Sequence, residues 1–137
     1  MNSTDLIKKH EGYSETLYDC TAGKQTIGFG RNIEQNGINL IEAELMLHND
    51  MMECERVLSS KVSAWHGLSE QRQGVLVNMM YNLGWPRLSR FKNMLGAVEA
   101  LDFDRAAVEM MDSRWARQVG NRAKELCSIM KTNRWSN

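Results

Sequence analysis

Residues 11–30 read E-G-Y-S-E-T-L-Y-D-C-T-A-G-K-Q-T-I-G-F-G, and the fold turns on this stretch. Upstream of it, Leu6, Ile7 and His10 fall on one face of a short amphipathic helix, which Ser3 or Thr4 is placed to cap and Gly12 to end. Glu11 therefore sits in its last turn. Downstream, from Tyr13 to Ile33, the pattern changes to short alternating pieces rich in Thr, Tyr, Ile and Phe, broken at Gly23, Gly28 and Gly30. Alternation punctuated by glycine turns predicts a small antiparallel sheet, the only convincing β region of the chain. The segment thus joins a carboxylate at a helix end to polar residues on a glycine-rich hairpin.

Working outward, the rest reads as helix. After a turn at Gln35-Asn36-Gly37, Asn39 with Glu42 three residues on predicts a capped helix start. Leu40, Ala43, Leu47, Met51, Cys54 and Leu58 then recur in steps of three and four, which predicts one buried stripe. Ser69 opens another helix whose second half, 75–83, is apolar almost all round and is expected to be central, with Gly84 and Pro86 stopping it. Further helical pieces fall near 91–101, 103–111 and 121–130. The expected class is α+β, mainly helical, with the small N-terminal sheet and a helical body flanking a ligand cleft.

At 137 residues the chain suits a single domain over 1–137, since about two thirds of the unfolded surface is buried at that size. Its 42% apolar and 25% charged residues are those of an ordinary globular protein. Seventeen basic and seventeen acidic residues cancel, so no overall field draws it to nucleic acid. No apolar run reaches signal-peptide or membrane-span length, so no membrane insertion is expected. Cys20, Cys54 and Cys127 are an odd number at unrelated spacings and read as free thiols of a reducing cytosol. His10, His48 and His66 form no ligand pair, and Gly28-Phe29-Gly30 opens no helix. Neither metal nor nucleotide cofactor is indicated, and an active monomer is expected. Ten methionines at helical spacing read as core packing.

The decisive stretch also carries a family likeness. Glu11, Gly12, Tyr18, Gly23, Thr26, Ile27, Gly28 and Gly30 stand in the register of the phage lysozymes, the endolysin glycoside hydrolases that include the muramidase of T-even bacteriophages. The resemblance continues through Arg31-Asn32, Gly37-Ile38, the run N-M-M-Y-N-L-G at 78–84, Phe91, Ser113-Arg114-Trp115 and Asn121-Arg122-Ala123. It implies a lysozyme-like catalytic domain that cleaves the β-1,4 bond between N-acetylmuramic acid and N-acetylglucosamine in peptidoglycan glycan strands. It also implies lysis of a bacterial host, with the enzyme held in the host cytoplasm until a separately encoded holin releases it to the periplasm or cell wall.

Glycoside hydrolysis requires an acid for the departing oxygen and usually a second group to activate water or attack the sugar. The resemblance assigns the acid to Glu11, which a neighbouring Tyr13 is expected to keep partly dry. It assigns placement of the attacking water to Thr26, whose hydroxyl both donates and accepts. Position 20, where the family has its catalytic Asp, is Cys20. A thiolate there serves as base or nucleophile only if its pKa lies below about 8.5. Asp19 is adjacent, but on a strand it faces the other way unless the backbone bulges. Substrate contacts are carried over to Asn32, Tyr81, Asn82, Met94, Glu109 and Arg122, the last also as a cation favouring ionised Glu11. Trp115 is assigned to the core. Two other readings stay open: a lytic transglycosylase using Glu11 alone, and a peptidoglycan-binding module without catalysis.

Overall fold

The N-terminal helix α1 (Ser3–Glu11) is capped one residue earlier than expected, by Asn2. The Asn2 side chain accepts the Asp5 N–H at 2.9 Å and the Asp5 carboxylate accepts the Asn2 N–H at 3.1 Å, a reciprocal box that neither Ser3 nor Thr4 could complete. Gly12, at φ 70°, ends the helix and donates its N–H to the Lys8 carbonyl at 2.9 Å. A computed structural model describes residues 1–136 of the chain.

The expected sheet follows as β1 (Ser14–Asp19), β2 (Gln25–Gly28) and β3 (Arg31–Asn32), antiparallel and in the order β1-β2-β3. Thr26 is the pivot of its register, opposite Tyr18 on one side and Asn32 on the other. A register irregularity lies between Ser14 and Tyr18, upstream of Asp19, which pairs regularly with Gln25. The expected turn at 35–37 is instead a one-turn helix, α2 (Ile33–Asn36), because Asn32 caps it by accepting the Gln35 N–H at 3.0 Å. The long helix α3 (Leu40–Lys61) opens on the predicted box, Asn39 and Glu42 exchanging hydrogen bonds of 2.8 and 2.9 Å.

The chain divides into two compact units, Met1–Met46 and Leu47–Asn137. Among the described residues of the first, Thr26 is the one fully buried side chain. The second holds the apolar core, built from the end of α3, α4 (Glu70–Leu83), the short α5 (Trp85–Leu88), α6 (Lys92–Glu99), α7 (Phe103–Met111), α8 (Arg114–Val119) and α9 (Asn121–Thr132). Ser69 caps α4 as predicted, and Val75, Leu76, Val77 and Met79 are buried as its composition required. Arg72 of α4 ties the far end of α9: its Nε donates to the Met130 carbonyl at 2.8 Å while its guanidinium lies 3.7 Å from the Phe103 ring centroid.

The α3 stripe requires correction. Cys54 and Leu58 are buried, but Leu40 is 72% exposed, and Leu47 and Met51 are also exposed. The repeat is helical; burial begins only where the helix reaches the core of the second unit, because the first unit has no apolar layer of its own to cover Leu40. Helix α8 and the short α5 were not anticipated, the former because six residues carry too little periodicity to register. Among the described residues no helix is long and apolar enough to cross a membrane, and no group of three or more His, Cys, Asp or Glu side chains is placed to hold a metal ion.

Candidate active site

In the first unit, Glu11 ends α1 with its carboxyl group seated against Gly30. Gly30 has φ 74°, a backbone conformation that favours glycine, and a Cβ added there would stand 2.7 Å from Glu11 Cδ, so the Glu11 side chain would have to move aside. The turn after β2 thereby leaves room for the Glu11 carboxyl. Glu11 is exposed, and the Tyr13 ring, 66% exposed itself, does not keep it dry as expected, because the positive φ of Gly12 lets the chain turn out of the helix before Tyr13.

The thiol and the hydroxyl are brought together at the other end of the hairpin. Cys20 follows β1 in a tight turn in which its N–H donates to the Lys24 carbonyl at 3.0 Å and its own carbonyl accepts from Gly23 N–H at 2.8 Å. Nearby main-chain N–H groups, that of Lys24 first and then that of Ala22, hold the thiol below its ordinary value against the opposing effect of burial. Thr26, 2% exposed, donates its Oγ1–H to the Lys24 carbonyl at 2.8 Å. With its proton so directed, its oxygen lone pairs are left for a donor such as water.

The other two cysteines differ. Burial pushes Cys127 up to about 11 and raises Cys54 as well, with Asp50, Glu53 and Glu55 adding to the latter. Only Cys20 sits among groups that favour a thiolate. Asp19 is occupied on the opposite side by the Gln25 side-chain amide, in keeping with the alternation of a regular strand.

Several expected substrate contacts are otherwise engaged. Asn32 spends its side chain on Gln35, accepting the N–H and donating to Oε1, each at 3.0 Å. Asn82 accepts from Trp115 Nε1 at 2.8 Å, and Trp115 is core, as anticipated, edge-on to Phe91 at 6.1 Å. Met94 must be corrected: at 1% exposure its side chain packs in the core, because family likeness assigns a position without regard to which face of so short a helix as α6 turns inward. Glu109, half-buried, lines a cavity of about 580 Å³ together with Phe91, Arg114 and Trp115.

Tyr81 and Arg122 do come together in the second unit, lining a cavity of about 380 Å³ with Asn78. Arg122 is held there by Asn78, whose side-chain oxygen accepts from Nε at 2.8 Å and whose carbonyl accepts from a terminal nitrogen at 3.4 Å. Sequence reasoning missed Asn78 as that anchor, and missed Gly30 as the seat of Glu11. Asn78 stood in the quoted motif, but nothing in spacing links residues 44 apart. Also missed was Arg31, which pairs with Glu42 at the start of α3.

A carboxyl group beside a glycine turn, and a thiol and hydroxyl on the same small sheet, are side chains of the kinds that acid-assisted glycoside cleavage uses. Comparison with known proteins gives the same class. The chain matches the phage lysozyme family over residues 8–132 and belongs to it. It is 26% identical to the probable T4-type lysozyme 2 of Dictyostelium discoideum, with 93% of this chain and 92% of that protein aligned. It is 25% identical to the endolysin of Acyrthosiphon pisum secondary endosymbiont phage 1, over 92% of this chain and 86% of the other. It is also 27% identical to the pre-baseplate central spike protein Gp5 of Enterobacteria phage T4, covering 96% of this chain and 28% of that longer one. The protein is a glycoside hydrolase, a peptidoglycan hydrolase of lysozyme type.

Proposed function

We propose that the enzyme acts as one catalytic domain, a monomer that hydrolyses the β-1,4 bond between N-acetylmuramic acid and N-acetylglucosamine in bacterial glycan strands, and that this cleavage lyses the host. Glu11 protonates the departing glycosidic oxygen. The Cys20 thiolate takes a proton from water, or attacks the anomeric carbon, and Thr26 orients that water. Tyr81 and Arg122 contact the sugar chain, with Glu109 and the free amide nitrogen of Asn82 as further contacts. Release from the host cytoplasm to the wall by a holin belongs to the same reading.

The observation that carries it is the turn at 20–26, where the Lys24 and Ala22 N–H groups favour the Cys20 thiolate and the Thr26 hydroxyl, its proton on the Lys24 carbonyl, keeps its oxygen for water. A side chain placed where the family keeps a carboxylate is thereby given part of a carboxylate's character. The test is the chemistry of the ends. Muropeptides released from purified sacculi by wild type should carry reducing ends, and Cys20→Ala should slow their release. Anhydro ends would favour the lytic transglycosylase, a reading supported by the missing Asp at position 20. Binding without any cleavage would overturn both.

A further inference from the structure

Two aromatic rings in the first unit have no place in a core. Tyr13 is 66% and Phe29 44% exposed, yet they touch, with centroids 5.3 Å apart and planes tilted by 39°. Single exposed aromatics need no explanation; two in contact offer a continuous apolar face on which a flat ligand can pack. The pair is tied to Glu11 through the turn after β2: Phe29 immediately precedes Gly30, against which the Glu11 carboxyl lies, and Tyr13 touches Phe29. Lys8, three residues before Glu11 on α1, places Nζ 5.2 Å from the Phe29 ring centroid and so restrains the ring in advance of any ligand.

We propose that Tyr13 and Phe29 form a stacking platform for a pyranose ring of the glycan strand, a specificity-determining subsite beside the bond that Glu11 protonates. The inference rests on the assignment of Glu11 as the acid. A pyranose presents a face of C–H groups with its hydroxyls turned outward, and such a face packs on an aromatic ring while the hydroxyls stay wet. Among the described residues the Tyr13 hydroxyl makes no hydrogen bond, so it is available to an acetamido or hydroxyl group of the sugar. Two rings match one or two sugar units and fall far short of the roughly 800 Å² per partner that a stable protein interface buries.

The experiment uses soluble glycan strands of defined length, prepared from peptidoglycan, and four proteins: wild type, Tyr13→Ala, Tyr13→Trp and Phe29→Leu. Tyr13→Ala should raise KM about tenfold, equivalent to about 1.4 kcal/mol, with kcat held within about twofold, the signature of lost uniform binding. Tyr13→Trp should restore KM, and Phe29→Leu should fall between. Strands titrated onto Glu11→Gln and onto Glu11→Gln with Tyr13→Ala should show the same loss of affinity without turnover. An unchanged KM and affinity in Tyr13→Ala would overturn the platform, as would a fall in kcat and melting temperature at constant KM, which would make the ring pair structural. Should wild type leave the strands uncut, the hydrolase reading fails instead, and the titration still decides whether the rings bind sugar.

Discussion

The two units of the molecule are held together by different physics. The first, Met1–Met46, has Thr26 as its one buried side chain among the described residues and is organised by caps, glycine turns and short hydrogen bonds. The second, Leu47–Asn137, is organised by burial, with Leu58, Leu76, Met79, Leu88, Met110 and Met130 fully enclosed. Directional bonds set the position of individual atoms; apolar contacts, being non-directional, set overall stability. The groups proposed to react, Glu11, Cys20 and Thr26, belong to the unit governed by the former. Mutations should therefore split into those that change chemistry at constant stability and those that change stability at constant chemistry.

The largest effect falls on chemistry alone. Glu11→Gln keeps the shape of the side chain but cannot deliver a proton, so lysis of sacculi should drop by at least the ~10²–10⁴-fold typical of a general acid. All four tryptophans, Trp65, Trp85, Trp115 and Trp135, lie in the second unit, so their fluorescence melting curve should not move. Retained lysis in the purified variant would remove the acid assignment.

Cys20→Ala comes next, with an expected loss of roughly 10²-fold or more, again without a change in the tryptophan melting curve. Cys20→Asp should remain active and should reveal the ionisation that matters. The base form is required, and the Cys20 thiol, although lowered by the Lys24 and Ala22 N–H groups, still ionises above a carboxylate. Activity of wild type should therefore fall as pH drops through the thiol's range, while Cys20→Asp should hold its activity to lower pH. Coincident acidic limbs in the two proteins would show that residue 20 does not set the profile. The same contrast orders the thiols: iodoacetamide at neutral pH should label Cys20 first, with Cys54 and Cys127 protected by burial until the core opens.

The converse mutation is Met79→Ala. Met79 is fully buried on α4, and truncation should cost about 2–5 kcal/mol through lost transfer energy and the cavity left behind. Tryptophan-monitored unfolding should shift accordingly, while kcat per folded molecule, measured well below the transition, stays near wild type. A large fall in kcat at constant stability would mean that the two units are not separable in the way their construction suggests.

How much of this was legible in the sequence follows the same division. Features written in a few consecutive residues were readable: the Asn39 and Glu42 box, the Ser69 cap, the Gly84 stop and the glycine-punctuated hairpin each depend on neighbours within three or four positions. Features that depend on distant partners were not. The periodicity of Leu40, Leu47 and Met51 states that a helix has an apolar face but not what covers it, and the Asn78 anchor of Arg122 joins positions 44 apart. Met94 was misplaced because it was carried over by family likeness, which does not say that this face of α6 is turned into the core. The candidate site was written in the sequence only as a list of residues carried over by family likeness. Its local chemistry was not, because the N–H groups that face Cys20 exist only once the 20–24 turn has closed.

The smallest expected effect tests the cap that sequence reading placed one residue too late. Asn2→Ala removes the acceptor for the Asp5 N–H while the residue 2 N–H can still donate to the Asp5 carboxylate, a loss of about 1 kcal/mol by the usual worth of an N-cap. In a unit with a real core such a loss would spread into cooperative unfolding. Here α1 has no buried residue, so the loss should stay local as fraying of a nine-residue helix. Fraying from the N-terminus must propagate the length of α1 before it reaches Glu11, and Gly12 still holds the other end through its bond to Lys8. The expected outcome is faster amide exchange over residues 5–9, a modest decline in kcat that steepens with temperature, and no shift in the tryptophan melting curve. Asn2→Ser, which supplies another good cap, should keep the exchange rates near wild type, whereas adding Asp5→Ala to Asn2→Ala should fray α1 further, because it removes the remaining bond to the residue 2 N–H and the first-turn carboxylate. A melting shift as large as that of Met79→Ala would show instead that α1 is part of the same cooperative core.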